Sequence, residues 1–241
     1  MNQDIDATTD PLPVGVPVPG WEARLRPERT SHVGRTCRLE PLDPSRHAAS
    51  LYEANGLDAS GHMWTYLPVG PFDGIESYRA WVDGVSRSED PLFFAIVDVA
   101  TGRATGVASY LRIDPANGVI EVGHLQFSPR LQRTPAATEA IFLLMKHAFD
   151  DLGYRRFEWK CDSLNGPSRA AALRLGFIYE GTFRQAVVYK GRNRDTAWYA
   201  IVDGDWPTTR AGFEAWLSPE NFDDAGRQRA RLADLRAGLG G

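Results

Sequence analysis

Two stretches of the chain hold residue types suited to gripping a phosphorylated group. The first is "FSPRLQRTPAATEA", Phe127 to Ala140. An apolar strand pattern ends at Phe127, a loop follows, and a helical pattern opens near Pro135, so the free N–H groups of a helix start face the loop mouth. Such a terminus attracts anions. With Thr134 as N-cap, the proline occupies the first helical position, where a missing N–H is tolerated, and Ala136, Ala137 and Thr138 are expected to donate to a pyrophosphate. The second stretch, "CDSLNGPSRAAALRLGF", is another helix start, after the next strand. Each alone suits a capped core helix with no ligand; two such starts side by side point to one anion site.

The elements that position these starts follow from punctuation and periodicity. Residues 1 to 32 are rich in Pro and polar residues and read as an extended arm pinned by Trp21. "RTCRLEPL" alternates as a strand, and Asp43 before Pro44 caps the helix "PSRHAASLYEAN". A second helix, "GIESYRAWVDGVSR", is expected to be capped by Asp73. Three strands separated by "TGR" and "DPANG" read as an antiparallel meander. The helix from Pro135 buries Ala137, Ile141, Leu144, Met145, Ala148, Phe149 and Leu152 and stops at Gly153. A strand "RRFEWKCD", the short helix "PSRAAALRLG" and two long strands joined by "GRN" complete the order β α α β β β α β α β β. From Trp206 onward, two helical patterns form an appendage for docking on the parent domain or on a second subunit of a homodimer.

Composition narrows the partners. A net charge of -4 and a pI near 5.8 argue against an electrostatic nucleic-acid or membrane binder, and the basic clusters "YRRFEWK" and "YKGRNR" read as solvated strand ends. Cys37 and Cys161 are far apart and in no metal-ligand spacing, so neither a disulfide framework nor a metal is expected, and a reducing cytoplasm fits. No stretch has the continuous apolar core of a signal peptide or a membrane span.

The element order, with "LQRTPAATEA" before the long helix and "NGPSRAAALRLGF" after the next strand, resembles the GNAT superfamily of acetyl-CoA-dependent N-acetyltransferases, and within it the Rim-type branch that acetylates ribosomal-protein N-termini. The likeness covers roughly residues 33 to 205, leaving 206 to 241 as a C-terminal helical extension. It implies an α/β (α+β) fold, with a mixed, mostly antiparallel sheet of about seven strands flanked by about four helices. The family's pyrophosphate loop, Q/RxxGxG/A, corresponds to Gln132, Arg133, Thr134, Pro135, Ala136 and Ala137, with a proline for the central glycine. Its NxxS followed by a helix ending in GF is intact as Asn165, Ser168, Gly176 and Phe177. One lost hydrogen bond to a phosphate is worth roughly 1.5 to 3 kcal/mol, which Arg133 or Thr134 could offset.

The resemblance also implies roles. The backbone of Leu125, Gln126 and Phe127 would hold the thioester carbonyl, Asn165 the pantetheine arm, and Ser168 would be the general acid at the sulfur. Ser168 lies in a first helical turn, where the dipole favours a forming thiolate. Where enzymes of that branch carry a glutamate base, this chain has Val187, leaving Glu121 and His124 on the preceding strand, with Asp195 reachable through water. Glu121 and His124 have opposite parity, so a regular strand would turn only one toward the site. Met63, Trp64 and Tyr66 are the expected substrate wall. An α-amine of pKa near 7.8 is roughly a tenth neutral at pH 7, against about 4 in 10,000 for a lysine, so a protein N-terminus or a small-molecule amine of low basicity is the easier acceptor. The alternative, motivated by Pro135 and Val187, is a degenerate domain that binds acyl-CoA without turnover as a sensor or interaction module.

Overall fold

The computed structural model describes residues 12–238, so residues 1–11 of the expected arm and the last three residues lie outside it. Eight strands form one sheet in the order β1-β2-β3-β4-β5-β6-β8-β7. They are β1 (His32–Val33), β2 (Cys37–Pro41), β3 (Leu92–Asp98), β4 (Ala104–Asp114), β5 (Val119–Phe127), β6 (Arg156–Asp162), β7 (Ile178–Tyr189) and β8 (Arg192–Val202). All neighbours are antiparallel except β5 and β6, which run parallel. The strand beyond the expected seven is β1, two residues at the end of the arm that pair with Arg38 and Leu39.

The helices are α1 (Pro44–Asn55), α2 (Ile75–Ser86), α3 (Pro135–Lys146), α4 (Gly166–Leu175), α5 (Trp206–Leu217) and α6 (Leu232–Ala237). β3 reads "LFFAIV" because both of its faces are covered. Leu92, Phe94 and Ile96 join Tyr110, Ile120, Phe157 and the α3 residues Ile141, Leu144 and Met145 in one core. Phe93, Ala95 and Val97 face the other way, onto Leu51 of α1 and Tyr78 and Val82 of α2.

Local capping departs from expectation in two places. Gly74, not Asp73, precedes α2, because Ser77 Oγ accepts the Gly74 N–H and donates to its carbonyl. After Lys146, α3 widens into a π-helical turn over His147–Asp151 before Gly153, at φ +68°, ends it. The Trp21 anchor holds: its indole donates to Ala116 O at 2.9 Å and lies against Gly118, where a side chain would collide with it.

The C-terminal helices close on their own chain. Phe213 stacks on Phe142 of α3 at 5.2 Å between ring centroids, Trp206 stacks on Phe149 at 4.9 Å, and Trp216, Leu217 and Leu232 join the larger core. Burying such aromatics is worth about 1.5–3 kcal/mol each, so these helices belong to the domain's core rather than to its surface.

Candidate active site

The sheet parts between its two parallel strands. The β5–β6 ladder runs from Val119↔Arg156 to Val122↔Trp159 and stops, so Gly123 to Phe127 and Lys160 to Asp162 continue without pairing to one another. Helix α3 follows one of these strands and α4 the other, which brings both helix starts to the same end of the parting. Converging helix N-termini at the carboxyl ends of neighbouring parallel strands form a favourable anion site.

The loop before α3 is braced from within. Ser128 is fully buried, its Oγ donates to Thr105 O at 2.5 Å, and its carbonyl accepts the N–H groups of Leu131 and Gln132. Gln132 Nε2 donates to Phe127 O at 2.7 Å, and Arg133 takes a left-handed φ of 61° with its side chain exposed. Thr134 is the N-cap, as expected, and its Oγ1 accepts the Ala137 N–H at 3.3 Å. That donor is therefore already engaged. Ala136 and Thr138 keep the expected placement at the start of α3, and the buried Thr138 hydroxyl accepts from Arg174.

At the second start, Asn165 is the N-cap of α4: its Oδ1 accepts the Ser168 N–H at 3.1 Å. Ser168 Oγ accepts the Trp159 indole N–H at 2.9 Å. A hydroxyl has one proton and two lone pairs, so with a lone pair committed to the indole the proton remains to be donated. Cys161, two residues beyond Trp159 on the same face of β6, has its thiol pKa raised by burial against the opposing pull of Ser168, Arg194 and Arg169. Trp159 and Cys161 were missed in the sequence; the signal was their alternation in "WKC", which turns both toward the α4 face.

The regular strand that would turn only one of Glu121 and His124 toward the site is interrupted between them. β4 and β5 pair at Val107↔Gln126 and Ser109↔Gly123, so His124 and Leu125 together oppose Ala108 alone. This is a β-bulge, with His124 at φ 49°. The extra residue cancels the odd spacing, and both side chains project to the α1/α2 face: the His124 ring lies 5.1 Å from that of Phe93, and its Nδ1 is 3.0 Å from Ser109 Oγ. Leu125 and Phe127 turn to the other face and pack on the larger core, while buried Gln126 accepts from the Tyr78 hydroxyl at 3.3 Å.

Glu121 is saturated. Arg112 Nη1 lies 2.7 and 2.8 Å from its two oxygens and Lys160 Nζ lies 2.9 Å away. Burial raises its pKa against those two cations. In the register it stands beside Glu158, and Lys160 bridges the like charges, 2.7 Å from Glu158. The "YRRFEWK" run is therefore not a set of solvated strand ends: Lys160 is only 7% exposed, and Arg156 pairs with Glu158 and Glu180. The missed signal was the E-x-K spacing, which puts Glu158 and Lys160 on one strand face.

His124 is differently placed. Ser109 Oγ lies 3.2 Å from Gly123 O and 3.0 Å from His124 Nδ1; in the tautomer that donates from Nδ1 to this hydroxyl, the Nε2 lone pair is left to act as a base. Burial, then Arg112, lowers its pKa from the ordinary 6.5. Asp195 alternates to the face opposite Thr196, where it accepts from the Gln185 N–H and from Asn193, and these bonds hold its pKa down.

Over the α1/α2 face hangs the loop holding Met63, Trp64 and Tyr66. Trp64 is buried, edge-on to Phe72 at 5.5 Å, and Met63 packs on the same smaller core, so both cover the core beneath this loop. Tyr66 reaches across, its hydroxyl donating to Leu164 O at 3.1 Å, and Lys190 Nζ donates to Trp64 O at 2.7 Å from the β7–β8 turn. Val187 lies opposite Arg194 on this side, with no ionisable group to offer.

Comparison with known proteins agrees with this geometry. The Acetyltransferase (GNAT) domain family matches residues 37–178. A crystal structure of a GCN5-related N-acetyltransferase from Brucella melitensis superposes with a TM-score of 0.89 at 48% identity, covering 91% of this chain and all of the other. The uncharacterized N-acetyltransferase p20 of Bacillus licheniformis is 25% identical over 70% of this chain and 99% of its own length. The ribosomal-protein-serine acetyltransferase of Escherichia coli is 35% identical over 41% of this chain and 55% of its own. With a family match over more than half its length, and with the parted parallel strands and paired helix starts that match overlays, the chain belongs to the GNAT acetyltransferase family.

Proposed function

We propose that this chain transfers the acetyl group of acetyl-CoA to a primary amine at the parting of β5 and β6, with His124 as base and Ser168 as acid. The observation that supports it most is the end of the β5–β6 ladder at Val122, two residues before the bulged His124 and beside both helix starts. The starts of α3 and α4 suit the cofactor's phosphates. The edge of β5 from Gly123 to Phe127, which has no strand partner toward β6, leaves backbone donors for a developing oxyanion.

In this reading the amine nitrogen attacks the thioester carbon, the C–N bond forms and the C–S bond breaks. The departing sulfur takes the Ser168 hydroxyl proton, and the amine gives its surplus proton to His124 Nε2. Solvent then restores the serine proton and removes that of the histidine. Because His124 is neutral at pH 7, an amine that is itself partly neutral is the matched acceptor. The E. coli relative is named for a ribosomal-protein serine, and an α-amine, on a protein or on a small molecule, is the acceptor class we carry to this chain.

The test is free-thiol release from acetyl-CoA with α-amine and lysine-type acceptors across pH 5 to 9, for wild type and His124→Gln. Wild type should work faster on the α-amine. It should lose activity as pH falls below the ordinary histidine value of 6.5, because the lowered pKa keeps the base neutral above it. Loss of the base should slow turnover by about 10²-fold and flatten that acid limb. An unchanged rate and profile in the variant would remove His124 from the mechanism.

A further inference from the structure

One strand on the acceptor side presents polar atoms that nothing in the fold uses. Arg194, Thr196 and Trp198 alternate along β8, and the register pairs Thr196 with Asp162 and Trp198 with Lys160, so all three share the face on which Glu121 and His124 lie. Arg194 Nε, Thr196 Oγ1 and Trp198 Nε1 are each buried and have no hydrogen-bond partner among the described residues. Thr196 is only 5% exposed. Buried polar groups are paired in the great majority of cases, and three orphans in succession on one face need an explanation.

Charge sharpens the point. Lys160, over the Trp198 ring at 3.7 Å, is neutralised by Glu121 and Glu158, and Asp162 is occupied by the Tyr189 hydroxyl and the Leu164 N–H. Arg194 has no carboxylate partner among the described residues, and its guanidinium lies 5.8 Å from the Tyr189 ring centroid. The row is thus two nitrogen donors and a hydroxyl, carrying one uncompensated positive charge. The row runs to the cofactor end of the site, because Thr196 pairs with Asp162 at the end of β6, three residues before the Asn165 cap of α4.

We propose that Arg194, Thr196 and Trp198 form the recognition subsite for an anionic group on the acceptor, so that the amine acetylated also carries a carboxylate or a phosphate. This rests on the acetyl-transfer reading above and names its substrate class. A guanidinium beside N–H and O–H donors is the chemistry that binds planar or tetrahedral oxyanions, and truncating it leaves an anion without its partner. The carboxylate and phosphate sources are separated by the choice of probe.

The experiment uses the full chain with ¹⁵N-labelled tryptophan indoles, the Trp198 signal being assigned by Trp198→Phe. L-leucine and O-phosphoethanolamine are titrated in, each against its uncharged counterpart, L-leucinamide and ethanolamine, with free CoA bound so that no acetyl group is transferred, after acetyl-CoA has been titrated into a separate portion of the same protein. At least one anionic probe should shift the Trp198 indole signal saturably, the uncharged ones should not, and Arg194→Gln should abolish the shift. In thiol-release assays the same substitution should lower kcat/KM tenfold or more for the anionic acceptor and less than twofold for its uncharged counterpart. No indole shift with either anionic probe, or equal loss for both members of a pair, overturns the proposal. Because acetyl-CoA binding is titrated on the same protein, a failure of the acetyl-transfer reading would show itself separately, as absence of that binding.

Discussion

Lys160 lies between two carboxylates that the parallel register places side by side, and its own side chain is almost wholly buried. Removing Lys160 would leave the two adjacent carboxylates with only Arg112 and Arg156, one cation each, at a fraction of the ~3–5 kcal/mol that a fully broken buried pair costs. Lys160→Met should therefore destabilise the protein by about 2–3 kcal/mol in urea unfolding, although methionine nearly matches the lysine stem in volume. A change below about 1 kcal/mol would mean that Arg112 and Arg156, not Lys160, balance the pair. At this scale the sequence was only partly readable. Ser168 and Asn165 stood out through the NxxS resemblance and the helix start that follows it, both of which are local patterns. The Glu121–Lys160–Glu158 contact was not, since it depends on which strand lies beside which.

At the scale of elements, the bulge in β5 and the tether on α3 do the positioning. The bulge at His124 leaves no mark in a pattern of alternating residues, which is why parity in a regular strand could not place the two base candidates. The tether is Glu139, a buried carboxylate in the middle of α3 that accepts from the N–H groups of Arg35, Thr36 and Cys37 at 2.7, 2.6 and 3.0 Å. It fixes the entry to β2 against the helix whose first turn lines the anion site. Gly34 is required there, since a Cβ would lie 2.5 Å from the Glu139 carboxyl carbon. Glu139→Ala would strand three backbone donors, and we expect a loss of about 3 kcal/mol or more and a fall in Tm of about 6–12 °C by calorimetry. Glu139→Gln, which keeps one acceptor oxygen, should fall between. A Tm within a degree of wild type for the alanine variant would show that the tether is not needed. Helical periodicity foretold α3 but not this residue, whose charge reads as a solvent-facing position until β2 is set against it.

For the whole molecule, the element order was legible because each segment carries its own punctuation: Asp43–Pro44, Thr134–Pro135, Asn165 and the "GRN" turn. What the sequence left open was closure. The C-terminal helices complete the core on the α3/α4 side, and the arm is fastened by Trp21 across the β4–β5 turn, so both ends of the described chain brace the sheet that parts at Val122. The central claim is that this parting holds acetyl-CoA, with the Ser168 hydroxyl, which accepts from the Trp159 indole, protonating the leaving sulfur. Calorimetric titration of acetyl-CoA into wild type and Ser168→Ala, paired with thiol release on an α-amine acceptor, tests it most directly. The account predicts saturable binding of similar affinity to both proteins, with turnover in the variant slowed by about 10²-fold. Equal turnover in the two proteins would remove Ser168 from the mechanism, and failure of wild type to bind acetyl-CoA would contradict the account as a whole, leaving Pro135 as the residue that cost the site its ligand.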